Sequence, residues 1–266
     1  MSRSSRVLVL LLLAGVIAAP LATLHPIAAH LSDAGESGLP HELRNIAVIA
    51  LFVVLGASIV PVANMARVVL TWINQARTLR ALRIASESRT DDDGMAYWLF
   101  ATTQVHFFTA GLLRPRIYAS SGAAEQLDPL AFRAALLHEH EHQRGHHVAW
   151  RLALAALETA FHPVRPARRI VNALALECEF AADRAALAAG AHRVHLFDAV
   201  VAASGSPPRP SSVALSGTGT LQRLEALTST KQPGSISPGP LVWLVVGLSA
   251  LPILSHTLFW LGAVCL

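Results

Sequence analysis

Residues 138–147 read His-Glu-His-Glu-His-Gln-Arg-Gly-His-His. Inside this run, His138-Glu139-x-x-His142 sets two imidazoles four residues apart, with a carboxylate directly after the first. On a helix, positions i and i+4 share a face one turn apart, so both rings can ligate one metal ion. Glu139 then lies beside the metal, where it can take a proton from a water. The chain has 13 His, and composition alone would produce the pattern in about two chains in a hundred. A solvated, metal-chelating His tract is the other plain alternative. Register separates these readings. Starting at His140 puts Arg144 where the second ligand belongs, and starting at His142 puts Gln143 where the base belongs. One register alone supplies ligand, base and ligand.

A catalytic zinc site takes three protein ligands and keeps one position open. Residues 177–183 read Glu-Cys-Glu-Phe-Ala-Ala-Asp, within an Ala/Leu-rich stretch from Ile170 to Ala189 that lacks Gly and Pro and predicts a helix. Glu179 and Asp183 are again i and i+4. Glu179 is the candidate third ligand. Asp183 is the candidate acceptor for the second ring N–H of a ligating His, which would set that ring's tautomer. Glu177 is a rival ligand on another side of the helix, and Cys178 a soft-ligand rival. A solvated acidic face is the alternative for such a pair in isolation.

Several motifs occur in a recognisable order. They are Phe108-Thr-Ala-Gly-Leu-Leu-Arg-Pro-Arg-Ile-Tyr-Ala-Ser120, Leu127-Asp-Pro, His138-Glu139-x-x-His142 and Glu179-Phe-Ala-Ala-Asp183. Over roughly residues 100–190 the chain resembles the membrane zinc metallopeptidases of the BlaR/MecR type, relatives of the HtpX-type and CAAX-protease-type gluzincins. A weaker echo lies at Leu221-Gln-Arg-Leu-Glu-Ala-Leu227. The resemblance implies Zn2+ held by His138, His142 and Glu179, with Glu139 as base and Asp183 behind. It also implies cleavage of a protein or peptide substrate. Relatives often carry Asp where this chain has His147. In the resembling family the role is signal transduction by cutting a repressor; HtpX-like quality control of membrane proteins is the alternative. A non-catalytic metal-binding membrane regulator is a third reading, against which the intact Glu139 argues. His106, His147 and Arg184 are candidates to stabilise the oxyanion, and spacing does not choose among them.

The elements that must position these groups are partly legible. Asp128-Pro129 is a helix start, with Asp as N-cap and Pro in the first turn. Leu130, Ala134, Leu137 and Glu141 trace one stripe, and Ala131, Ala135, His138 and His142 an adjacent one. Gly145 marks the helix end. Residues 71–95 read as a basic helix ending in the turn Asp91–Gly94. Residues 104–120 read as short strands around Gly111 with a bend at Arg114-Pro115. Such a strand could be a structural hairpin, or could lay its edge along an extended peptide. Residues 148–162, with Arg151 and Glu158, read as a helix at a membrane surface, and Val164–Arg169 as a segment near headgroups.

Composition sets the remaining expectations. Hydrophobic residues make up 53% of the chain and charged residues 14%. Three uncharged stretches, Val7–Ala29, Ile46–Ala66 and Leu241–Leu266, reach the length of about 20 residues that a bilayer requires. The first could also be a cleaved signal peptide. Arg67, Arg77, Arg80 and Arg83 after the second stretch place the following residues on the cytoplasmic side. Cys178 and Cys265 then fall on opposite sides and form no disulfide.

The expected fold is therefore a mainly α membrane protein: about three transmembrane helices plus a zincin-like, mostly helical catalytic domain with a short β hairpin or small sheet. Residues 1–66 would hold two transmembrane helices and a short external loop, 67–203 the cytoplasmic zinc metallopeptidase domain, 204–240 a flexible linker and 241–266 the last transmembrane helix. The expected setting is a multi-pass protein of the cell membrane, with the lipid bilayer and a protein or peptide substrate as partners. The basic pI of about 9.8 does not indicate nucleic acid, because the Arg residues cluster beside the apolar stretches without a binding motif. Phosphate-loop and Ser-His-Asp signatures are absent. The sequence does not indicate whether the protein forms a homo-oligomer.

Overall fold

The computed structural model describes residues 66–160 except 75, then 165–205 and 218–229, with isolated positions among 6–14 and at 59 and 63. The chain divides into two compact units, one of residues 1, 68–155 and 169–236 and the other of 2–67, 156–168 and 237–266. The sheet and the candidate site both belong to the first unit.

Residues 66–84, apart from 75, are helical and lead into β1 (Glu87–Thr90) and β2 (Ala96–Phe100). β3 (Phe107–Ala110), β4 (Arg116–Ser120) and the short α1 (Ser121–Gln126) follow. Helices α2 (Pro129–Arg144), α3 (His147–Ala160), α4 (Arg165–Ala188), α5 (Arg193–Ser204) and α6 (Thr218–Thr228) complete the described order. The sheet order is β1-β2-β4-β3, with β2 and β4 parallel and the other pairs antiparallel.

Strand geometry sends successive side chains to opposite faces. Tyr97, Phe107, Ile117 and Ala119 accordingly meet Leu136 and Phe132 of α2 on one face. Trp98, Phe100, Phe108, Ala110 and Tyr118 meet Leu79 and Leu82 of the leading helix on the other. A second core joins Ala134 of α2, Ala186 of α4, Leu196 and Val200 of α5 and Leu227 of α6. Helix α2 is thus clamped between the sheet and a helical layer.

The start of α2 follows the sequence expectation. Asp128 Oδ1 accepts from the Leu130 N–H at 2.9 Å, Pro129 is the first helical residue, and Gly145 caps the end. The stripe Ala131, Ala135, His138 and His142 is buried, but Leu130 of the adjacent stripe is 51% exposed. The expected strands around Gly111 are β3 and β4. Gly111 adopts φ 108, and a Cβ there would stand 2.7 Å from the Arg114 carbonyl, so the turn requires glycine. The acidic turn also forms, with Asp91 Oδ1 accepting from the Met95 and Asp93 N–H groups.

Other expectations are corrected. Residues 71–95 are not one helix and a loop, since Glu87–Thr90 is a strand. Residues 218–228, within the expected flexible linker, form α6. Among the described residues, no helix is long and apolar enough to cross a membrane. That finding overturns the expected membrane fold with about three transmembrane helices and the expected multi-pass location in the cell membrane. The described helices fall short for two physical reasons. α3 has 14 residues and α4, although 24 long, carries Arg168, Arg169, Glu177, Glu179, Asp183 and Arg184. The stretches Val7–Ala29, Ile46–Ala66 and Leu241–Leu266 lie outside the described residues, bar isolated positions.

The contact between α2 and the sheet yields a stability prediction. Leu136 is 1% exposed, so Leu136→Ala should lower unfolding free energy by about 2–5 kcal/mol. Leu130→Ala, at an exposed position, should change it by no more than about 0.5 kcal/mol. Urea titration followed by circular dichroism measures both.

Candidate metal centre

The last two turns of α2 turn His138, Glu139 and His142 inward, and all three are buried. The Nε2 atoms of His138 and His142 stand 3.0 Å apart. Glu179 approaches from α4, with Oε2 3.5 Å from His138 Nε2 and Oε1 3.5 Å from His142 Nε2. One ligand atom from each of the three residues lies within 4.8 Å of the others, a group that could hold a metal ion. Tetrahedral zinc with bonds of about 2.0–2.1 Å would separate two nitrogens by about 3.3 Å. The observed spacing is within a few tenths of an ångström of that value. Three of the sequence candidates, His138, His142 and Glu179, therefore converge, and Glu139 is buried on the same turns of α2.

The far sides of the rings are also engaged. His138 Nδ1 is 2.8 Å from Asp183 Oδ1, and His142 Nδ1 is 2.8 Å from His147 Nδ1. Both rings therefore turn Nε2 toward Glu179. Asp183 thus lies against the ring nitrogen of His138 that faces away from Glu179. Glu139 is held from the sheet: the Thr109 hydroxyl reaches its Oε2 at 2.8 Å and its backbone carbonyl at 2.9 Å. Thr109 can do this because alternation along β3 points it, like Phe107, to the α2 face.

Two guanidinium groups balance the carboxylates. Arg223 of α6 makes a two-pronged contact with Asp183, Nε to Oδ2 at 2.9 Å and Nη2 to Oδ1 at 2.6 Å, and its Nη1 lies 3.0 Å from Glu179 Oε2. Arg151 of α3 donates to Glu179 Oε1 at 3.1 Å. Burial alone would raise both carboxyl pKa values. For Glu179, His142, Arg223, Arg151 and His138 outweigh burial and hold the carboxylate well below its ordinary range. For Asp183, His138 and Arg223 outweigh it and hold the group at about 2. Burial and Arg223 oppose charge on His138, but Asp183 and Glu179 prevail and lift the imidazole to about 9. Burial likewise disfavours a charged Arg223, and Glu179 and Asp183 more than restore it.

The remaining candidates sit elsewhere. Glu177 is outside the ligand group. Cys178 is fully buried, and burial pushes its thiol up to about 11, which suits an inert core residue. His140, His146 and Arg184 are exposed. His106 Nε2 lies 3.1 Å from Gln104 Oε1, and its backbone N–H donates to Ser120 Oγ. His147 backs His142. None of the three oxyanion candidates belongs to the ligand group itself.

Arg223, Arg151 and Thr109 are the participants that sequence reasoning did not assign. Arg223 lies in the Leu221–Leu227 echo, and Arg151 interrupts an apolar helix. An isolated charge on an otherwise apolar helix is a signal of a buried ionic partner. Thr109 carries no comparable signal. Comparison with protein-family models, with curated proteins and with solved structures finds no match.

Arg223 supplies the prediction here. Arg223→Leu leaves Asp183 and Glu179 buried without their shared cation, so unfolding free energy should fall by about 3–5 kcal/mol. Arg223→Lys keeps the charge but loses the two-pronged geometry, and should fall between the two. Urea unfolding in the presence of a chelator reads the difference without a contribution from metal.

Proposed function

We propose that the chain is a zinc-dependent endopeptidase, with Zn2+ held by His138, His142 and Glu179 and with Glu139 as general base. The observation that carries this reading is the convergence of two Nε2 atoms and one carboxylate, with Glu139 buried on the same turns of α2 and held separately by Thr109. Two imidazoles and one carboxylate are a donor set suited to catalytic zinc, leaving a position open. When bound, zinc supplies Lewis acidity, acidifying a water and polarising the scissile carbonyl. Glu139 takes the proton of the attacking water and passes it to the leaving amine. Thr109 holds one oxygen of that carboxylate. Asp183 accepts from His138 Nδ1 and keeps the ring in the tautomer that presents Nε2. A passive metal binder has no use for Glu139.

Strand β3 is at the sheet edge and carries Thr109, the residue bonded to Glu139. An extended peptide that added to this edge would pass close to the base, with backbone pairing in place of side-chain selection. That favours protein or peptide substrates, in keeping with the resemblance to BlaR/MecR-type peptidases.

Cleavage of casein by the zinc-loaded protein tests the activity. Glu139→Gln should retain zinc and lose about 10²–10⁴-fold in rate. Zinc uptake without Glu139-dependent cleavage would instead favour a non-catalytic metal-binding regulator. Metal analysis tests the ligands: His138→Ala, His142→Ala and Glu179→Ala should lose bound zinc, while Glu177→Ala keeps it. The reverse result for the two glutamates would reassign the third ligand.

A further inference from the structure

His147 opens α3 just beyond the end of α2, yet its ring packs back onto the metal-facing turn. The chain achieves this through Gly145 and then His146, a non-glycine residue at φ 51. The His147 side chain is 0% exposed, and its ring meets that of His142 edge to face at 5.0 Å between centroids. Position 145 has no room for a side chain. A Cβ there would lie 2.5 Å from His147 Nε2 and 3.0 Å from the Glu141 carbonyl. Backbone turn, glycine and burial all hold one imidazole edge 2.8 Å from His142 Nδ1.

At that distance one Nδ1 donates and the other accepts. If His147 donated, the neutral His142 ring would carry its own proton on Nε2, the atom 3.0 Å from His138 Nε2, and could not offer that nitrogen to a metal. If His142 donates, its Nε2 lone pair is free to ligate. We infer that His147 is the positioning residue of His142: its Nδ1 accepts the His142 Nδ1–H and holds the Nε2 lone pair toward His138 and Glu179. This rests on the metal reading of the site.

The two ligating rings are then backed unequally. His138 leans on the anionic Asp183, while His142 leans on a neutral imidazole whose own proton is on Nε2. A neutral acceptor draws less on the Nδ1 proton than a carboxylate does, so His142 is the weaker electron donor of the pair.

Zinc itself is the probe, and no measurement of activity is needed. Competition with a chromophoric chelator should show His147→Leu, which fills space without an acceptor, losing about 10–100-fold in zinc affinity. His147→Asn places a carbonyl oxygen near the former Nδ1 and should remain within about threefold of the parent. In the zinc-loaded parent, nitrogen-15 spectra of the imidazoles should show His142 protonated on Nδ1, and His147 protonated on Nε2 with Nδ1 bare. Zinc affinity of His147→Leu equal to the parent's would overturn the role, as would a bare His142 Nδ1. Should the Leu variant not fold, the spectra of the parent decide alone. Failure of the parent to take up zinc would remove the metal reading and this role together; zinc uptake with the wrong tautomer removes only the role.

Discussion

A guanidinium from α6 meets two carboxylates of α4 inside the protein, and the orientation of the imidazoles depends on that contact. Glu179 and Asp183 stand one turn apart, so their charges repel across a short distance. Buried carboxylates are tolerated when they are paired and hydrogen-bonded. Arg223 contacts both, and Arg151 takes the second oxygen of Glu179. With the repulsion neutralised, Asp183 can accept from His138 and Glu179 can lie between the two rings.

That electrostatic arrangement is anchored by α2, whose two ends have different tasks. Ala134 and Leu136 pack it against the helical layer and the sheet, while the following turns carry His138, Glu139 and His142. The same clamp brings Thr109 to Glu139 from β3. A shift of α2 along its axis would therefore disturb core packing, the hold on Glu139 and the ring contacts together. The centre is stiff because its helix cannot move without opening two apolar interfaces, each a close-packed surface.

How far these features could be read from the chain depended on their range. The cap formed by Asp128 and Pro129, the turn at Gly111 and the inward stripe of α2 are local consequences of backbone geometry, and they were legible. β1 was not, because all four of its residues are exposed and no alternation of apolar and polar side chains marks it. The expected membrane fold is overturned on a different ground. Among the described residues no helix is both long and apolar enough to cross a bilayer, α3 being short and α4 interrupted by charged side chains.

By itself the sequence determined that His138 and His142 share a face with Glu139 between them in order, and that Glu179 and Asp183 share another. Helical periodicity is enough for that, since it relates residues one turn apart on the same element. Periodicity gives directions only about a helix's own axis. Which two faces meet, which ring nitrogen each carboxylate reaches, and which residues complete the set were decided by packing. Thr109 joins Glu139 across 30 residues, and Arg223 joins Asp183 across 40. Contacts over such separations exist only once apolar burial has brought the elements together.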